Sequence, residues 1–168
     1  MKGTNVLVDR IDWVDVNYYP SLKSKEFSKY LLSEGDIVIA MDRPFISEGF
    51  KIARISKNDI PCLLVQRIGR FEKKDSILYD YVYHYLHSYS FQKSLKNLQK
   101  GSDLPHISKN EILTPMIPIP PSSEQNQISS ILNNIDKKIK EETRYSLNLQ
   151  ILKKGLMQKL LTGNIYLT

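Results

Sequence analysis

With 168 residues, 41% of them hydrophobic and 25% charged, the chain has room for one core plus an appendage and an ordinary globular composition, which excludes a disordered tail or a fibrous repeat. Lys plus Arg is 24 against 18 for Asp plus Glu, and the formal charge of +6 favours a polyanionic partner. A single cysteine, Cys62, excludes disulfide staples and Cys-rich zinc sites and fits a reducing, cytoplasmic setting; no secretory signal is visible, and no run approaches the ~20 apolar residues that cross a membrane.

Residues 1–121 carry all eight prolines and five of the seven glycines, so loop punctuation is concentrated there. In chain order the strand patterns are Val6–Val8, Asp36–Met41, Phe50–Ile55 and Cys62–Arg67, followed by Ile77–Leu78 and by Leu113–Ile119, where Pro115 and Pro118 demand a sheet edge. Between the last two, Tyr81–Leu98 places Val82, Tyr85, Leu86 and Tyr89 on one face and predicts a helix capped by Asp80. Helices and strands do not alternate regularly, so the fold class is α+β, a mixed globular domain over residues 1–121 rather than a doubly wound parallel sheet.

From Ser122 to Gly163 there is no proline and one interior glycine, Gly155. This predicts a single long helix over the segment 122–168, opened by Pro120 and Pro121, capped by Ser122 or Ser123, with Glu124 and Gln125 in its first turn. Ile128, Ile131, Leu132, Ile135 and Ile139 recur at helical spacing, and Tyr145, Leu149, Leu152, Leu156 and Leu160 resume the stripe. A rod of this length, on the order of 60 Å, exceeds what a small domain covers, so the stripe is expected to project and pair as a coiled coil.

Cofactor loops of the Gly-x-Gly and Gly-Lys-Ser/Thr types, the Gly-x-Ser-x-Gly elbow and His-Glu-x-x-His are all missing from the sequence, as is an Asn-Pro-Pro-Tyr loop for gripping a flipped base. No catalytic residue, metal or cofactor is therefore assigned. His84, His87 and His106 offer three imidazoles, but aromatic neighbours make packing the better reading. Cys62 falls in an apolar strand, where a thiol is usually inert.

Residues 1–42 are slightly acidic, whereas 43–74 hold eight basic residues against three acidic ones. In this patch Arg43, Lys51, Arg54, Gln66, Arg67, Arg70, Lys73 and Lys74 are candidate DNA contacts, and Lys96, Asn97 and Lys100 form a second group leading into a Gly101-Ser102 loop. Lysines suit phosphates; arginine and amide side chains suit the bidentate reading of base edges.

Several strings together resemble one family: Gly35-Asp36-Ile37-Val38 after Tyr30-Leu31-Leu32, the Met41-Asp42-Arg43-Pro44 turn, Gly101 with Ile107-Ser108, Ile117-Pro118-Ile119-Pro120-Pro121 with Glu124-Gln125 and Ile128, and the closing Lys154-Gly155-Leu156-Met157-Gln158-Lys159-Leu160-Leu161-Thr162-Gly163. The chain resembles, from about Tyr30 to Gly163, the specificity subunit of type I restriction-modification systems. The resemblance implies a non-catalytic protein whose target-recognition domain reads one half of a split sequence in double-stranded DNA. Its long helix would dock methyltransferase subunits, and restriction subunits would join the same complex. Tandem members carry two recognition domains and two helices; this sequence has one of each, with no helix ahead of the domain, and looks like a half subunit. A homodimer pairing the Ile128 to Leu160 stripes antiparallel would restore the full set. The competing reading is a coiled-coil scaffold or interaction protein without DNA specificity, with a metal-dependent nuclease behind it.

Overall fold

The computed structural model describes residues 1–73, 77–98, 106–163 and 165, with the backbone alone for 21–25 and 98. The chain divides into two compact units, Met1–Gln125 and Asn126–Thr168, a boundary that falls just inside the last helix.

The first unit is built around the run Ile37-Val38-Ile39-Ala40, whose four side chains are all buried. A strand alternates its faces, so this run feeds two cores at once. Ile37 and Ile39 enter a cluster with Phe50, Ile52, Leu86, Phe91, Leu95 and Ile107, while Val38 and Ala40 enter another with Val6, Leu32, Ala53, Ile55, Cys62 and Ile68. Each fully buried Ile or Leu contributes about 1.5–3 kcal/mol relative to exposure.

Strands β1 (Leu31–Leu32), β2 (Ile37–Ala40), β3 (Phe45–Ile46), β4 (Gly49–Phe50), β5 (Ile52–Arg54), β6 (Cys62–Leu63) and β7 (Ile68–Arg70) form three small antiparallel sheets, ordered β5-β2-β7, β1-β6 and β3-β4. Gly69 of β7 faces Ile39 of β2, and a Cβ there would stand 3.0 Å from the Ile39 Cγ2, so only glycine leaves the isoleucine its room. Among the described residues four α-helices follow: α1 (Tyr79–His87), α2 (Tyr89–Leu98), α3 (Lys109–Leu113) and α4 (Ser122–Leu161). The α+β architecture with a long C-terminal helix is thus observed.

Six of the expected elements differ. Val6–Val8 makes one bridge, Val6 to Ile11, instead of a strand. Phe50–Ile55 divides into β4 and β5, and Cys62–Arg67 ends at Leu63, because the chain turns through a left-handed Arg67 before β7. The helix predicted over 81–98 breaks at Ser88, which adopts an extended ψ of 148°; its hydroxyl accepts from the Phe91 amide at 3.3 Å and so caps α2. Ile77–Leu78 leads into α1 as its cap, and Leu113–Ile119 is no strand. Prolines there cannot donate to a ladder, and hydroxyls from α1 serve the carbonyls instead: Tyr81 donates to Pro118 O at 2.9 Å and Tyr85 to Met116 O at 3.4 Å. Among the elements the sequence did not announce, α3 carries a Ser108–Glu111 capping box and residues 21–30 form a 3₁₀ segment.

The second unit is the body of α4. Pro121, rather than a serine, occupies the cap position, its carbonyl accepting from the amides of Glu124 (2.9 Å) and Gln125 (3.0 Å). Ile131 (60% exposed), Ile135, Ile139, Leu149, Leu152, Leu156 and Leu160 are exposed, and Ile128 and Leu132 are half-buried. Among the described residues no helix is long and apolar enough to cross a membrane.

Candidate nucleic-acid interface

The basic residues of 43–73 fall into two groups at opposite ends of β2, about 10 Å apart along a strand of this length. At the end where β2 begins, each cation faces a carboxylate, Arg54 half-buried and Arg70 and Lys73 exposed. Arg54 is ion-paired with Asp80 at 2.9 Å and lies 4.2 Å over the Tyr83 ring. Arg70 donates to Leu31 O at 3.1 Å and stands 3.7 Å from Asp36. Lys73 stands 3.9 Å from the other Asp36 oxygen and 5.2 Å over Tyr79. Asp36, 8% exposed, is held in place because it also accepts from the Ser33 amide at the Gly35 turn.

At the other end three segments meet on Met41. Its amide donates to Arg67 O at 2.9 Å, and its carbonyl accepts from the Ile107 amide at 2.8 Å. Ile107 is fully buried, so the core anchors this junction. The 41–44 turn and the 64–67 turn are thereby locked side by side. Arg43 and Arg67 sit on them with φ of 42° and 65°, in the left-handed region that non-glycine residues rarely occupy. Both are exposed, as is Gln66 beside Arg67. Arg67 Nη1 contacts Asp42 Oδ2 at 2.8 Å, and the other Asp42 oxygen lies 2.9 Å from His106 Nδ1. The Arg67 hydrogen bond, aided by His106, holds the Asp42 carboxyl below its ordinary value.

Lys51, by contrast, is turned inward: it is 6% exposed, its ammonium donates to Gly3 O at 3.3 Å, and burial lowers its pKa. A buried ammonium cannot meet a phosphate, which corrects its place among the candidate contacts. Lys96 on α2 lies 4.7 Å over the Phe45 ring, just past the Arg43 turn, and Asn97 is exposed next to it. Lys74 and Lys100 lie outside the described residues. Composition alone does not separate the two groups, and the Met41-Asp42-Arg43-Pro44 string marks the turn without showing that Asp42 lies against Arg67.

Chemically, this edge offers guanidinium and amide donors on turns held together through Met41, with the Lys96 ammonium to one side. Cys62 is a poor nucleophile, since burial pushes its thiol up to about 11. His84 and His87 lie on α1, remote from His106 in the chain; the His87 ring packs edge-on to Tyr83 at 4.7 Å, with its Nε2 3.1 Å from Asp9.

A family model described as the type I restriction modification DNA specificity domain matches residues 8–149. The chain belongs to this family. The specificity-domain chain is 35% identical to the type I restriction enzyme EcoAI specificity subunit of Escherichia coli over 136 residues, covering 80% of its own length and 23% of that protein. It is 34% identical to the type I restriction enzyme MjaVIII specificity subunit of Methanocaldococcus jannaschii over 166 residues, covering 98% of itself and 39% of the relative. The specificity-domain chain therefore spans well under half the length of these relatives. A chain from a structural study of complex assembly and conformational transition of the type I R-M system shares its fold, with a TM-score of 0.59 at 20% identity over 81% of this chain and 35% of that one.

Proposed function

We propose that this protein is the sequence-reading, non-catalytic component of a cytoplasmic type I restriction-modification complex, whose domain 1–121 reads one half of a bipartite double-stranded target. The observation that carries the reading is the pair of exposed arginines, Arg43 and Arg67, held in left-handed backbone conformations on two turns locked through Met41. Strain of this kind persists where the surrounding structure over-determines it, and it clusters at functional sites. Such an edge can enter a major groove with Arg43, Gln66 and Arg67 at the bases. Lys96 and Asn97 would set position from the phosphates, joined by Lys74 and Lys100 on charge alone. Arg54, half-buried between Asp80 and the Tyr83 ring, serves the fold, whereas Arg70 and Lys73, exposed beside Asp36, remain phosphate contacts in this reading.

The segment 122–168, which holds α4, couples this reader to its partners. Its exposed isoleucine and leucine stripe suits an antiparallel coiled coil with a second copy, a homodimer that presents two reading edges about a dyad and so favours an inverted-repeat target. The same helix would dock methyltransferase subunits and, through them, restriction subunits.

The test is methylation mapping of DNA from cells expressing the chain with its cognate methyltransferase subunit. Modification confined to one bipartite sequence is expected, and modification independent of the chain would overturn the reading. Binding to DNA should also weaken steeply between low and moderate salt, unlike pairing through leucines. Cleavage of plasmid by the pure chain with magnesium would favour the nuclease alternative.

A further inference from the structure

We infer that Asp42 is a specificity-determining positioning residue, which clasps the Arg67 guanidinium so that Arg67 reads a guanine in the major groove of the half-site. The inference rests on the DNA-reading function proposed above and names one base and one supporting residue for it.

An arginine on a turn tip has many rotamers, and the entropy of ordering them weighs against any contact it makes. Arg67 has already lost much of that freedom. Its backbone is held by Met41, its Nη1 is hydrogen-bonded to Asp42 Oδ2 at 2.8 Å, and Asp42 is itself fixed from the other side by His106 Nδ1 at 2.9 Å and by a backbone bridge to His106. Yet the Arg67 side chain remains 59% exposed, so the guanidinium is oriented without being covered. One N–H is taken by the carboxylate, and the guanidinium carries further N–H donors beyond it. The edge that suits a planar pair of donors is that of guanine, whose O6 and N7 are adjacent acceptors. Adenine presents a donor at the corresponding place, and cytosine and thymine offer no such pair of acceptors.

Asp42 adds a second level of discrimination. An unclasped arginine can swing to a phosphate and gain affinity without information. A carboxylate beside the reading edge repels phosphate and keeps the guanidinium directed at the bases. Removing it should therefore loosen sequence choice while leaving non-specific attraction equal or stronger, the opposite of what loss of a phosphate contact does.

The experiment uses the full chain co-expressed with its methyltransferase subunit, scoring the base requirement at every half-site position for wild type, Arg67→Lys, Asp42→Asn and Asp42→Ala, with thermal midpoints of the purified chains alongside. Wild type should require guanine at one position. Arg67→Lys keeps the charge without the fork and should lose about 5- to 150-fold of that preference, the range one bidentate base contact supplies. Both Asp42 variants should relax the same position and no other, with overall DNA affinity at moderate salt unchanged or raised. A wild-type complex that modifies no defined site overturns the function proposed above together with this inference. A wild-type complex with a defined site whose requirements are untouched by Arg67→Lys, or in which the Asp42 variants lower affinity evenly at all positions, leaves that function standing and overturns the inference alone.

Discussion

The side-chain amide of Gln125 closes two backbone groups at once: its oxygen accepts from the Leu78 amide at 2.8 Å and its nitrogen donates to Pro120 O at 2.8 Å. Leu78 stands at the cap of α1 and has no side-chain oxygen to offer its own helix. Gln125 thus does from 47 residues away what the third residue of a capping box does locally. It is 2% exposed, so both bonds are shielded from water. Gln125→Met, of similar length but without polar atoms, strands an amide and a carbonyl. Denaturant unfolding should register a loss of about 2–4 kcal/mol with little change in slope.

Gly69 and Ile39 make a packing pair whose coupling can be read directly. Gly69→Ala puts a methyl 3.0 Å from the Ile39 Cγ2 and should cost about 1–3 kcal/mol. Ile39→Ala, which deletes that Cγ2 methyl, should cost less in combination with Gly69→Ala than the sum of the two single changes. A double-mutant cycle showing strict additivity would mean that the contact has no energetic weight.

The two ends of β2 predict opposite phenotypes for arginine substitutions. Arg54→Ala abandons Asp80 and uncovers Tyr83, and should lower stability by about 1–3 kcal/mol. Arg43→Gly relieves a φ of 42°, so stability should stay level or rise by up to about 1 kcal/mol while DNA binding weakens. Paired melting and fluorescence-anisotropy titrations check both.

Cys62 links stability to alkaline pH. Burial raises its thiol from 9.0 to about 11, so the unfolded chain loses this proton first. Its contribution is complete below pH 9.0 and is lost as pH rises through that window, amounting to about 2 kcal/mol. Native protein at neutral pH should resist a thiol reagent that labels the denatured chain at once, and equal labelling rates would refute the assignment.

Helix α4 should act as a ruler between half-sites. Deleting residues 136–142 removes about two turns, or roughly 10 Å, while keeping the stripe near its register. Methylation mapping should then find a shortened spacer, or lost assembly, with both half-sites unchanged. An altered half-site with the old spacing would contradict this role. Leu152→Asp, on the exposed stripe, should shift the chain to monomer in sedimentation.

Much of the frame was legible because its signals are local. Ile37–Ala40 reads as a buried strand from four consecutive apolar residues, and α4 reads as a helix because no proline interrupts Ser122–Leu161. The failures share a cause in hydrogen bonds that apolar periodicity does not encode, one of them local and two from far along the chain. Ser88 looks like any mid-helix serine until the Phe91 amide points at it, and Leu113–Ile119 looks like an edge strand until tyrosines from α1 claim its carbonyls. For the interface, charge counting found the patch but could not divide it.

From its own order of residues the protein is a basic α+β domain with a striped helix, and it carries the strings of its family, since periodicity, proline content and charge are properties of neighbours. Which cations remain available was decided only by tertiary structure. Arg54 is half-buried between Asp80 and Tyr83, and Lys51 is buried against Gly3, whereas Arg43 and Arg67 are left exposed on their turns, Arg67 beside Asp42. Ion pairs and hydrogen bonds act over a few ångströms, and only folding brings Asp80 of α1 to Arg54 of β5 and Gly3 to Lys51, partners 26 and 48 residues apart in sequence.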